Sequence, residues 1–241
     1  MFAPLFVEIA KLRRSLALVL ALVAPSLVAV FLFFNVLRGD APMPWSMWLG
    51  SALGIWAFFM LPMSVTALTA LTAHMEHGPR SWDHLRALPV PRWRIYAAKV
   101  VCVLGLVGAM SVAVPLLGVA ALELASRIKP AIAPSGPLDL GGHLMTVLRM
   151  EAAALLLIAI QLWLSLRLSS FVPGLAVGIG GTFFAVVATA AKQGVFWPWQ
   201  MPVNMLAEQA WRVDTALALG AGGGLVLLLL MLAHLSLREV R

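Results

Sequence analysis

Five stretches of this chain run for more than twenty residues without a single charged side chain, at 15–37, 48–73, 100–122, 168–191 and 215–237. About twenty apolar residues in a helix cross the hydrocarbon core of a bilayer. A helix is also the one open-ended structure that satisfies all its own backbone N–H and C=O groups there. With 62% hydrophobic and 11% charged residues, the chain carries more apolar surface than a soluble core can bury. A shorter charge-free run, 152–166, reaches spanning length only by extending back to about residue 144, which takes in Arg149 and Glu151. The pattern predicts an all-α integral membrane protein, one transmembrane domain over 1–241, with six transmembrane helices at about 15–37, 48–73, 97–122, 144–166, 170–191 and 214–237.

Lysine and arginine placement sets the orientation, because cytoplasmic segments carry the excess of both. With the N-terminus inside, the cytosolic segments hold Lys11, Arg13, Arg14, Arg80, Arg86, Arg92, Arg94, Lys99, Arg167, Arg238 and Arg241. The outer side holds Arg38, Arg127, Lys129, Arg149, Lys192 and Arg212, so eleven of the seventeen basic residues face the cytosol. Both termini are expected inside, N-in and C-in. The net charge of +7 is then accounted for by this bias and by anionic lipid, and calls for no nucleic-acid partner. Trp45, Trp48, Trp197, Trp199 and Trp211 fall near the outer interface and Trp82, Trp93 and Trp163 near the inner one, with Trp56 alone in mid-span.

The first run follows Lys11, Arg13 and Arg14 as a signal core would, but at about twice the usual length it reads as a retained helix. Ahead of it, residues 2–14 place Phe2, Leu5, Phe6, Ile9 and Leu12 on one helical face and Glu8, Lys11 and Arg14 on the other. That is the pattern of a helix lying in the inner interface.

Residues 74–96 form the most polar stretch, HMEHGPRSWDHLRALPVPRWRIY. Gly78-Pro79 ends the second span, Ser81 can cap a short helix, and Leu88-Pro89-Val90-Pro91 closes it. Glu76, Gly78, Trp82, Leu85, Leu88-Pro89, Arg92, Tyr96 and Lys99 together resemble the second-to-third span junction of type-2 ATP-binding-cassette exporter permeases. The resemblance is specifically to the small six-span permeases of bacitracin and lantibiotic self-resistance. Relatives often carry threonine after the glycine turn, where this chain has Pro79 and Ser81.

The resemblance implies that this loop is a coupling segment docking on a separate ATPase through Glu76, His77, Gly78, Trp82, Asp83, Leu85, Leu88 and Pro89. It also implies two ATPase copies, a second permease subunit in a homo- or heterodimer, surrounding membrane lipids, and a bacterial cytoplasmic (inner) membrane. The cargo it suggests is a hydrophobic or amphipathic compound such as an antimicrobial peptide or natural product. A lipid, glycan or haem cargo, or a non-transporting scaffold or sensor subunit, are the other readings.

No nucleotide site is expected on this chain. None of its four lysines, Lys11, Lys99, Lys129 and Lys192, follows a glycine, so no phosphate-cradling GxxxxGK[ST] loop exists. ATP and magnesium belong to the partner, and no catalytic residue is expected here. His74, Glu76 and His77 do not match HExxH or HxxEH spacing, so no metal site is expected. Cys102 lies within a span and has no second cysteine to pair with.

Arg149, Glu151 and Gln161 are polar residues within the fourth span, expected along a translocation path or, for the first two, at the outer headgroups. Glycine pairs at four-residue spacing occur at Gly50/Gly54, Gly174/Gly178 and Gly220/Gly224, against about 1.5 by chance for this glycine content. Gly174 and Gly178 are the pair expected at a contact with a second permease. Residues 196–206 are apolar enough to dip into the outer interface as a cap.

Overall fold

A computed structural model describes residues 2–77, 89–189 and 191–237. Its elements, in chain order, are α1 (Phe2–Leu12), α2 (Leu16–Arg38), α3 (Trp45–His77), α4 (Arg92–Ile128), α5 (Leu140–Arg167), α6 (Val172–Ala188) and α7 (Ala210–Leu237). Five of these, α2 to α5 and α7, are long and apolar enough to cross a membrane. α6 is shorter at 17 residues, about 26 Å at 1.5 Å per residue. The all-helical membrane architecture read from the sequence is therefore observed.

α5 starts at Leu140, four residues before the predicted boundary, because Asp139 caps it by accepting from Gly142 N at 2.9 Å. That early start carries Glu151 eleven residues into the helix, about 16 Å along its axis. α4 is the hub, with α1, α2, α3, α5 and α7 packed around it. Along α3 the three threonines Thr66, Thr69 and Thr72 are fully buried yet satisfied, each hydroxyl donating back to a carbonyl four residues earlier.

Two helices contain a π turn. In α3 it covers Trp56–Met60, where Leu61 N–H reaches back five residues to Trp56 O. Pro62 follows directly and cannot donate to a carbonyl four residues back, so a widened turn relieves the clash its ring would cause. In α7 it covers Ala218–Gly223, within the glycine-rich run from 220 to 224.

The connection between α6 and α7 folds as a cap. Trp197 and Trp199 stack at 5.1 Å, Trp197 Nε1 donates to Gly181 O at 3.0 Å, and Gln200 Nε2 donates to Ala185 O and to Thr189 Oγ1. Trp199 is buried against Gly181, so this tryptophan belongs to the interior of the cap rather than to the headgroup belt. Arg212 Nε ties the start of α7 to Asn204 Oδ1 at 3.0 Å.

Candidate functional site

At the end of the bundle where α1 lies, four charged side chains from three elements meet. Lys99 of α4 donates to Glu8 Oε2 of α1 and to Glu76 Oε1 of α3, both at 2.8 Å. Lys11 of α1 donates to the same Glu76 oxygen at 2.6 Å and to Glu8 Oε1 at 3.1 Å. Lys99 is 0%, Glu76 1% and Glu8 3% exposed, while the Lys11 side chain keeps 30%. Among the described residues two carboxylates and two ammoniums meet here and sum to zero, which offsets the cost of burying them.

Burial alone would lower the pKa of Lys11. Its hydrogen bond to Glu76 and the charge of Glu8 prevail and hold it above the ordinary lysine value.

The cluster fixes the attitude of α1. Glu8 and Leu12 face the protein, while Phe6 at 75% exposure and the exposed Val7 and Ile9 face outward. Of the face predicted to lie in the interface, Phe6 and Ile9 are exposed while Leu12 is buried beside Glu8, and Glu8 and Lys11 of the opposite face meet in ion pairs. Sequence reasoning named Glu76 and Lys99 through the family likeness without bringing them together, and placed Glu8 and Lys11 on the polar face of an interfacial helix. The available signal was a Glu and a Lys three residues apart on a helix otherwise suited to lipid.

Segment 78–88, with Gly78, Trp82, Asp83, Leu85 and Leu88, lies outside the described residues. Its two anchors do not. Glu76 and His77 close α3 on one side, and Pro89, exposed, precedes α4 on the other. Lys99 therefore ties together the two helices from which the loop is strung. His74 packs edge-on to Phe171 at 5.9 Å between the rings, and His77 lies in a small crevice with Ser165 and Leu168. Among the described residues no cluster of three or more His, Cys, Asp or Glu could hold a metal.

A second polar locus sits halfway up the bundle. Ser111 is close to the midpoint of α4, and its hydroxyl accepts from Trp56 Nε1 at 3.1 Å. Glu151 of α5 lies alongside Ser111, yet both its carboxylate oxygens are buried with no hydrogen-bond partner among the described residues. Arg149 is exposed on a different face of α5.

Gln161 is spent elsewhere. With its amide correctly oriented, it donates to Gly174 O and accepts from Gly178 N, both at 3.1 Å, joining α5 to α6. Gly174 and Gly178, expected at a contact with a second permease, are likewise occupied within the chain. A side chain at Gly178 would strike Thr66, and one at Gly174 would stand 3.1 Å from Ser165 Oγ.

Residues 5–187, spanning α1 to the end of α6, match the family described as ABC-2 family transporter protein. The chain belongs to the ABC-2 transporter family. It is thus a membrane permease of ATP-binding-cassette type, a transporter subunit rather than an enzyme, and the family implies an ATPase partner in general. No curated protein and no solved structure matches it. The inner charge cluster joins elements that all lie inside the matched region of this ABC-2 permease.

Proposed function

We propose that this ABC-2 permease is the membrane subunit of an exporter, driven by two copies of a separate ATPase that dock on residues 74–96. The observation that carries the reading is the buried Glu8–Lys11–Glu76–Lys99 cluster, which makes the inner ends of α1, α3 and α4 one body. A loop strung from such a body moves the helices when it is pushed, whereas a loop on frayed helix ends absorbs the push locally.

Two permease subunits, identical or similar, pair in a bacterial cytoplasmic membrane with both termini inside. ATP and magnesium act on the partner chain. The cargo is a hydrophobic or cationic amphipathic compound, of the antimicrobial-peptide or natural-product class that the bacitracin-permease likeness suggests.

Co-purification with the candidate ATPase tests the reading. The wild-type permease is expected to retain the ATPase, and Trp82→Ala with Leu85→Ala to lose most of it. Equal retention by the double variant would overturn the docking assignment. A compound screen for stimulated ATP hydrolysis by the intact complex then addresses cargo.

A further inference from the structure

A groove beneath α1 joins a charged environment to an apolar one. Leu5, Ile9 and Leu12 of α1 line one side and Val101, Gly105 and Leu106 of α4 the other, around a volume of about 350 Å³, within the range of about 300–1,000 Å³ that small-ligand sites occupy. Arg13, in the turn between α1 and α2, is the one charged residue on its lining among the described residues. Arg13 and Arg14 stand directly before the charge-free run 15–37, while Val101, Gly105 and Leu106 lie inside the run 100–122. The groove therefore starts at headgroup level and continues into the hydrocarbon. Ile9, Val101 and Gly105 are exposed along it, and no atom lies within 4 Å of where a Cβ on Gly105 would be, so it is open from the lipid side.

The cations at its charged end are uncommitted. Lys11 is held by Glu8 and Glu76, whereas Arg13 and Arg14 are exposed and form no ion pair among the described residues. The start of α2 adds to that charge. Ser15, at its N-cap, turns its hydroxyl back to Leu12 O at 2.9 Å instead of capping, which leaves the first N–H groups of α2 without a side-chain partner. No carboxylate lines the groove among the described residues, and Glu8, on the same helix, is taken by Lys11 and Lys99.

We propose that this groove holds one anionic phospholipid, with an acyl chain lying between α1 and α4 along Gly105 and the phosphate paired with Arg13 and Arg14. Charge complementarity decides for this occupant: a neutral lipid or the apolar face of a second copy would fill the groove and leave both arginines unanswered. The site stands apart from the ATPase reading. It bears on the charge cluster all the same, because the helix that such a lipid fastens is the one that carries Glu8 and Lys11.

Native mass spectrometry of the full chain, released from micelles containing phosphatidylglycerol and phosphatidylcholine in equal amounts, is the test. Wild type is expected to retain one phosphatidylglycerol in clear preference to phosphatidylcholine. Arg13→Gln and Arg14→Gln should each cut that preference about fivefold. Gly105→Phe, which puts a ring where the acyl chain would lie, should abolish retention with both arginines still present. Arg38→Gln, which removes an exposed cation at the far end of α2, should leave it unchanged.

Equal retention of the two lipids by wild type overturns the proposal, and so does a lipid-free dimer. Phosphatidylglycerol kept by Gly105→Phe would mean a headgroup contact with no seated chain, which sinks the groove as its site. A loss in Arg38→Gln that matches the loss in Arg13→Gln would mean bulk attraction to a basic protein, and sinks it too. If an arginine variant fails to fold, Gly105→Phe decides, since its new side chain enters open space. No ATPase takes part in the measurement, so its failure leaves the co-purification result standing, and failure of co-purification leaves this one.

Discussion

At Lys99 one fully buried ammonium pairs, among the described residues, with both Glu8 and Glu76. Removing one member of a buried set strands the opposite charges, which costs about 3–5 kcal/mol. Lys99→Met should therefore lower the thermal unfolding midpoint in detergent sharply, and adding Glu8→Gln to it should restore part of the loss. A double-variant cycle giving simple additivity would contradict the network.

Lys11 offers a gentler probe, because Cys102, the chain's sole cysteine, lines an apolar groove of about 350 Å³ beneath α1 with Leu5, Ile9, Leu12 and Arg13. Lys11→Met should loosen α1 and speed maleimide labelling of Cys102 at neutral pH. Since the Lys11 pKa is raised on folding, its stabilisation is fully present below the lysine value of 10.5 and fades as pH rises beyond it. The ratio of variant to wild-type labelling rates, which cancels the thiol's own titration, should hold steady to about pH 10 and fall toward one above that.

Among the helices, the closest approaches occur where glycine removes the side chain. A Cβ on Gly220 would strike the backbone of Ala153, and one on Gly224 the backbone at Leu155 and Leu156, whereas Gly222 faces open space. Backbone cannot step aside as a flexible side chain does. Gly220→Leu should cost about 1–3 kcal/mol or abolish folding, while Gly222→Ala in the same turn should be near neutral, both read as melting midpoints of purified protein.

This pair shows where sequence reading stops. Composition and charge-free length were enough to find the helices, because lipid imposes length and polarity on each one separately. Which glycine pair touches a neighbour depends on helix rotation, and three pairs with identical spacing met three fates: Gly50/Gly54 in open space, Gly174/Gly178 against Ser165 and Thr66, and Gly220/Gly224 on α5. The inner cluster was hidden for the same reason. Glu8 and Lys99 are 91 residues apart, and no local pattern on α1 says whether its polar face meets water or another helix.

For the molecule as a whole, the number of crossings turns on α6. At 17 residues it is about 26 Å long, slightly short of a 30 Å hydrocarbon core, and the cap makes up the difference. Gln200 takes up the Ala185 carbonyl near its outer end, and Trp197 takes up that of Gly181. Backbone oxygens freed by a short helix are costly in lipid unless so paired, and a capped helix of this length can cross by modest thinning of the bilayer. If α6 crosses, residues 192 and 237 lie on opposite sides, with 237 on the same side as α1. If α6 only dips and returns, the two positions exchange sides. Single cysteines placed at the exposed Arg14, Lys192 and Leu237 in a Cys102→Ser background, challenged in intact cells with an impermeant maleimide, separate these layouts. The six-crossing arrangement predicts labelling at 192 alone, with 14 and 237 reacting only after permeabilisation. Labelling at 237 in intact cells would mean five crossings and would place the termini on opposite faces of the membrane.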